Sequence, residues 1–264
     1  MNALRIILLS ASLALAACTS RPQDYLAPPG DRVDMPAPPA LESGATQLGA
    51  SRQGRPIFVR THGTGPTDVL VIGLIHGDEP EVYQRFDDLW LRLRTAGYGD
   101  RLTLHAIASM NPDGLERQRR GNARGIDLNR NWPATNFRPS TAHGPNPLSE
   151  PEAAAVHRYV QQTRPGVVIV FHSAGGGPFV DPDGPMAAAG PLAEAFVRAA
   201  ARVDPSWRMN ADFTNPAGSL GSWYGLDEQQ IVLTIELRPG TPPEEALAAA
   251  TAGTLAVLRT LSSP

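Results

Sequence analysis

The chain has 264 residues, 42% of them hydrophobic and 19% charged, which suits one sizeable packed domain and lies outside the composition of disordered chains. Its formal net charge of −3 gives no general attraction to nucleic acid or anionic lipid. All 23 basic residues are arginine, which removes Schiff-base and P-loop lysine chemistry from consideration.

The chain opens with Arg5 ahead of the apolar residues 6–17, a run of signal-peptide length that is too short to span a bilayer. It ends in Leu15-Ala16-Ala17-Cys18, which resembles the lipobox of bacterial lipoproteins. That resemblance implies loss of residues 1–17, a lipid on Cys18 and residence in the bacterial envelope on the periplasmic side. Thr19 in place of an aspartate leans toward the outer membrane. The competing reading is a chance or buried thiol behind an ordinary signal peptide. Cys18 is the only cysteine, so no intramolecular disulfide is available. Residues 21–41 hold six prolines and little apolar periodicity. They read as a semi-rigid tether that reaches roughly 60 Å if extended. Signal peptide 1–17, lipidated cysteine and tether 18–41, and one folded domain over 42–264 are the expected units.

Within the domain, residues 47–50 and 56–60 form a hairpin candidate across the turn at 51–55. The apolar run 68–76 reads as a buried strand. Pro80 then fits a helix's first turn, with Val82, Phe86, Leu89, Trp90 and Leu93 on one face. Residues 101–110, 166–172 and 230–237 are further strands, and helices are expected over 191–203 and 243–261. Ser149-Glu150-Pro151-Glu152 carries the capping-box pattern ahead of a helix that runs to about residue 163. Strands interleaved with helices predict an α/β fold, a mixed and mostly parallel sheet with helices on both faces.

In such sheets functional groups gather beyond the carboxyl ends of the strands. His76-Gly77-Asp78-Glu79 ends one strand, and its spacing lets an imidazole and a carboxylate meet one zinc ion; a helix-capping turn would look the same. His172 ends another strand and offers a third ligand, or is a core histidine bonded to backbone. Two histidines and one carboxylate form a catalytic zinc set with a position left open. Glu236 lies in the apolar run Thr234-Ile235-Glu236-Leu237, where a carboxylate is costly unless paired or used. It suits a general base; the alternative is an ion pair with Arg238 on the same strand face. Arg117, Arg119, Arg120 and Arg124 crowd the segment between the ligands. A nucleic-acid patch is unconvincing in a lysine-free, slightly acidic chain, whereas guanidinium forks suit a substrate carboxylate or a developing oxyanion.

Taken in order, His76-x-x-Glu79, Asn111-Pro112-Asp113-Gly114, Asp127-Leu128-Asn129-Arg130-Asn131, Phe171-His172-Ser173 and Thr234-Ile235-Glu236-Leu237 resemble the zinc carboxypeptidases of the carboxypeptidase A superfamily. The likeness covers about residues 47–239. It implies one zinc ion on His76, Glu79 and His172, Glu236 as general base, and Asn129 with Arg130 holding the terminal carboxylate of a peptide substrate. It also implies an arginine that polarises the scissile carbonyl, for which Arg120 is the best positional match, ahead of Arg119. Gly218-Ser219-Leu220-Gly221-Ser222-Trp223-Tyr224 resembles the family's mobile-tyrosine segment, which would bring Tyr224 over the substrate unless Trp223 and Tyr224 are packing residues.

Within the superfamily, residues 120–133 and 218–223 look most like murein tripeptide amidases, which release meso-diaminopimelate from the γ-D-glutamyl bond of cell-wall peptides. Two other readings share part of the pattern. An acylase of the succinylglutamate desuccinylase or aspartoacylase type has the same zinc set but an added C-terminal β domain. A non-catalytic wall-binding lipoprotein would keep the fold alone. Gly175-Gly176-Gly177 lacks the lysine of a phosphate loop and reads as a close backbone passage. Asp181-Pro182-Asp183-Gly184 reads as a turn. His62, His105, His143 and His157 read as structural or surface residues, with His143 in the Pro/Gly-rich loop 133–148, which is a candidate rim of the site.

Overall fold

The computed structural model describes residues 44–210 and 216–263; the leader, Cys18 and the tether lie outside them. Eight strands form one sheet in the order β1-β2-β4-β3-β5-β8-β6-β7. They are β1 Ala45–Ala50, β2 Pro56–His62, β3 Thr67–Ile72, β4 Leu102–Ile107, β5 Val167–Ser173, β6 Phe179–Asp183, β7 Arg208–Met209 and β8 Ile231–Leu237. The β3–β4, β3–β5, β5–β8 and β6–β7 pairs are parallel, while β1–β2, β2–β4 and β6–β8 are antiparallel. The helices are α1 Phe86–Arg94, α2 Pro112–Glu116, α3 Pro151–Thr163, α4 Met186–Ala200 and α5 Pro243–Leu261. Among the described residues no helix is long and apolar enough to cross a membrane.

The continuous apolar runs in the central strands follow from burial on both faces. Because strand side chains alternate, Val69 and Val71 of β3 and Ile169 and Phe171 of β5 join one core with α1, α4 and α5. Their neighbours Leu70, Ile72, Val168 and Val170 join a second core with α3. Helices thus cover both faces, as the interleaved pattern predicts.

Local differences from the sequence reading have physical causes. Pro80 opens no α-helix: a 3₁₀ turn over Tyr83–Arg85 precedes α1, which starts at Phe86. Ser149 does not cap α3; Glu150 is the capping residue, with no side-chain cap bond, and the Ser149 hydroxyl bonds to the Glu150 carboxylate instead. Helix α4 begins at Met186 and carries Pro191 inside its first turns. Asp181, Pro182 and Asp183 are no mere turn: they belong to β6, paired antiparallel with β8, where proline is tolerated next to a short, two-residue edge strand. The predicted hairpin is present as β1 and β2.

Phe196 of α4 is fully buried between α5 and Trp207, with ring centroids 5.5 Å apart. Replacing it by alanine should cost about 3–5 kcal/mol of unfolding free energy, read from denaturant titration. A loss under about 1 kcal/mol would show that this core collapses around the cavity.

Candidate metal centre and active-site cleft

Strands β3 and β5 deliver the two histidines, and β8 delivers Glu236, to one edge of the sheet. His172 and Glu236 are direct partners in the parallel β5–β8 register. They fall on the same face as Val168, Val170 and Val232, toward the α3 side. The chain beyond β3 turns sharply at Gly77, where any Cβ would collide with the backbone of Gly114. This close passage brings Glu79 back under His76. Gly177 allows a second close passage, against the backbone of Leu237 at the end of β8.

The side chains of His76, Glu79 and His172 converge. His76 Nδ1 lies 2.8 Å from Glu79 Oε1, and His172 Nδ1 lies 2.8 Å from Glu79 Oε2 and 3.0 Å from His76 Nδ1. Two imidazole nitrogens that close cannot both present lone pairs to each other, so a cation or proton must lie between them. On the far side of the ring, His76 Nε2 is 3.0 Å from Asp127 Oδ1, which directs the Nδ1 lone pair inward. The set fits one zinc ion: two nitrogens and one carboxylate within 4.8 Å of one another, buried or nearly so, with a cleft on the open side.

Arg120 closes this cluster. Its Nε donates to Asp127 Oδ2 at 2.9 Å and its Nη1 to Glu79 Oε1 at 3.0 Å. Burial pushes the Glu79 carboxyl up, but the charges and hydrogen bonds of His172 and His76 outweigh it and hold Glu79 well below the usual range. Asp127 is likewise depressed: burial opposes ionisation, and the bond and charge of His76 with the arginines Arg120 and Arg130 prevail. Burial alone would lower His76; Asp127 and Glu79 together raise it.

The cleft beside the cluster holds about 230 Å³ and is lined by Arg120, Asn129, Arg130 and Glu236 among others. Asn129 Oδ1 accepts from Leu220 N–H at 3.0 Å, and its Nδ2 lies 3.3 Å from His172 Nε2. Arg130 Nη1 bonds to the Asn129 carbonyl at 2.7 Å. Glu236 is not paired with Arg238, which bonds to Asp204 and Ser206 instead. Its Oε2 is buried with no hydrogen-bond partner among the described residues, and burial, reinforced by the Glu79 charge, raises its pKa above the ordinary carboxyl value. An unpaired, proton-hungry carboxylate facing the cleft is what a general base requires.

Tyr224 does not reach the cleft. It is fully buried in the α3-side core, donates its hydroxyl to the Pro165 carbonyl at 2.8 Å and is pushed up to about 12, chiefly by burial. It belongs to the π-helical turn Gly221–Asp227, whose Trp223 stacks on Trp132 with centroids 5.2 Å apart. The packing reading of this aromatic pair therefore replaces the substrate-contact reading. Arg119 is exposed and does not line the cleft, nor does His143.

Residues 43–183 match the family model described as zinc carboxypeptidase. The chain belongs to the zinc carboxypeptidase family. Murein peptide amidase A of Escherichia coli (strain K12) is 31% identical over 150 residues, a stretch covering 50% of this chain. The match spans 60% of that relative's own length. The crystal structure of murein-tripeptide amidase MpaA from Escherichia coli O157 superposes with a TM-score of 0.60 at 25% identity, covering 89% of this chain and 97% of that one. Carboxypeptidase A from Helicoverpa armigera shares the fold with a TM-score of 0.68 at 19% identity, over 83% and 68% of the two chains.

The sequence motif that contains Asp127 implies no role for it, yet Asp127 holds both His76 and Arg120. The signal was present as an acidic residue two positions before Asn129. Replacing Asp127 by asparagine should weaken zinc binding by about 10–100-fold in a chelator competition; unchanged affinity would remove Asp127 from the site.

The β6 wall adds a pH dependence. Asp183 lines the cleft, and Asp181, on the same strand face and 4% exposed, has a buried Oδ2 with no partner among the described residues. Burial and the charges of Asp183 and Glu236 push Asp181 to about 8. Between the ordinary value and that one the folded state holds a proton the unfolded chain releases, so stability falls as pH rises through this window. Asp181→Asn should raise the melting temperature more at about pH 8.5 than at about pH 5, and a pH-independent change would refute the assignment.

Proposed function

We propose that the protein is a zinc-dependent metallocarboxypeptidase that hydrolyses the C-terminal amide bond of a peptide, the γ-D-glutamyl–meso-diaminopimelate bond of peptidoglycan peptides. One observation carries the peptidase reading: a two-histidine, one-carboxylate set shares a cleft with Glu236, whose inner oxygen has no partner among the described residues, and with three polar groups suited to a carboxylate and an oxyanion. The murein assignment rests on the two amidase relatives and on the phrases at residues 120–133 and 218–223.

Zinc held by His76, Glu79 and His172 would supply Lewis acidity to the carbonyl and to the attacking water. Arg130 and Asn129 bind the free carboxylate of the substrate, which fixes the last amide bond in the cleft. Arg120 presents a guanidinium to the carbonyl oxygen as negative charge develops there. Glu236 takes the proton from water and returns it to the departing amine, so one carboxylate serves as base and then acid. The proposal extends to the N-terminus: a leader over residues 1–17 and a lipid on Cys18 would hold the domain on the periplasmic side, near the wall polymer.

The deciding experiment is mass spectrometry of zinc-loaded protein incubated with L-Ala-γ-D-Glu-meso-diaminopimelate beside an all-L peptide, with and without chelator. Chelator-sensitive release of diaminopimelate is expected. Cleavage of the all-L peptide alone would leave a general carboxypeptidase, and silence on both with zinc bound would reject the peptidase reading. Glu236→Ala should lower kcat by at least about 10²–10⁴-fold while zinc stays bound; retained turnover would remove Glu236 as the base.

A further inference from the structure

Asn111 makes no contact with the cleft, yet its side-chain amide is used at both ends. It is fully buried. Its Oδ1 accepts from Gly114 N–H at 2.9 Å and caps α2. Its Nδ2 donates to the Ile75 carbonyl at 3.0 Å and to the Arg120 carbonyl at 3.2 Å. The first of these carbonyls belongs to the peptide unit that leads into His76, and the second belongs to Arg120 itself. One amide therefore clips together the two backbone segments whose side chains meet at Glu79 and Asp127. Met110 N–H adds a bond to the Leu74 carbonyl at 3.0 Å, which fixes the same strand end.

We infer that Asn111 is a positioning residue for catalysis: it sets the Arg120 guanidinium against the His76 ligand, so that the oxyanion donor and the metal set move as one body. The inference rests on the role proposed for Arg120. Arg120 lies in an exposed segment and its side chain is 46% exposed; Arg119 N–H bonds to the Gly114 carbonyl at 2.9 Å beside it, while the Asn111 amide is what reaches from the Arg120 backbone to the His76 strand end. Without the Nδ2 donor, the Ile75 and Arg120 carbonyls lose this bond, and the tie between the Arg120 backbone and the strand end goes with it. A displacement of about 1 Å in a catalytic group can lower turnover by about 10²-fold.

The test uses Asn111→Asp, which keeps the oxygen that caps α2 and removes the donor, with Asn111→Ser as a smaller variant that keeps an acceptor. Melting temperature is measured alongside kcat and KM at saturating zinc, in both the parent and an Arg120→Ala background. The cobalt-substituted protein's visible spectrum reports the metal set without turnover. In the parent, kcat should fall by about 10²-fold with KM changed far less, and the cobalt spectrum should shift. In the Arg120→Ala background the same substitution should cost little further. A second loss of the same size in that background would overturn the inference, as would folded variants with parental kcat. If neither variant folds, Asn111 serves folding alone and the inference is equally overturned. Should Arg120→Ala itself leave kcat unchanged, the proposed role of Arg120 fails, and a parental cobalt spectrum in the Asn111 variants would separately remove Asn111 from the metal set.

Discussion

Gathering two imidazoles and two carboxylates at one sheet edge is unfavourable unless each buried charge meets its opposite at hydrogen-bond distance. Glu79 and Asp127 solve this by sharing the same two partners. Each takes a nitrogen of His76 and a nitrogen of Arg120, so these four side chains close a ring to which His172 is joined through Glu79. His172 and His76 hold the Glu79 carboxyl ionised despite burial, and His76 with Arg120 does the same for Asp127; Glu79 meets the Nδ1 nitrogens of both histidines, one on each oxygen. The rest of the site is arranged around this constraint.

The fold's contribution is register. Parallel strands β3 and β5 end at the same edge of the sheet, and the β5–β8 pairing sets His172 directly beside Glu236. A one-residue slip would turn both side chains into the opposite core. Packing opposes that slip, because it would exchange Val168 and Val170 with the larger Ile169 and Phe171 between two close-packed cores. The antiparallel β6 then walls the cleft, with Asp181 facing Thr234 and Phe179 facing Glu236 across the ladder.

Much of this was legible in the sequence, for identifiable reasons. His76, Glu79, His172 and Glu236 sit at the ends of, or inside, strongly apolar strand runs, where a polar residue stands out by its cost. The two-sided burial of those runs also announced helices on both faces. What was hidden depended on contacts between distant segments. Asp127 reaches His76 across 51 residues of chain, and Asn111 reaches Ile75 across 36, so neither role leaves a periodic trace. Tyr224 misled because an aromatic pair in a glycine-rich segment reads alike whether it packs or moves; its hydroxyl has a buried carbonyl partner that only the folded chain supplies. The Asp-Pro-Asp-Gly phrase of β6 reads locally as a turn, and only its pairing with β8, beside a two-residue edge strand, reveals it as a strand.

The exclusive use of arginine acquires a meaning at Arg120. Its Nε and Nη1 donate at 2.9 and 3.0 Å to carboxylates on two different segments, a planar two-point contact that one ammonium on a flexible stem does not reproduce. Arg120 therefore neutralises both carboxylates of the ring while it lines the cleft, which is the position the proposed oxyanion role requires. An arginine used this way must be fixed at its backbone, because side-chain bonds alone leave the main chain free to carry the guanidinium away. The buried amide of Asn111 meets that need, tying the Arg120 carbonyl to the strand end that also carries His76.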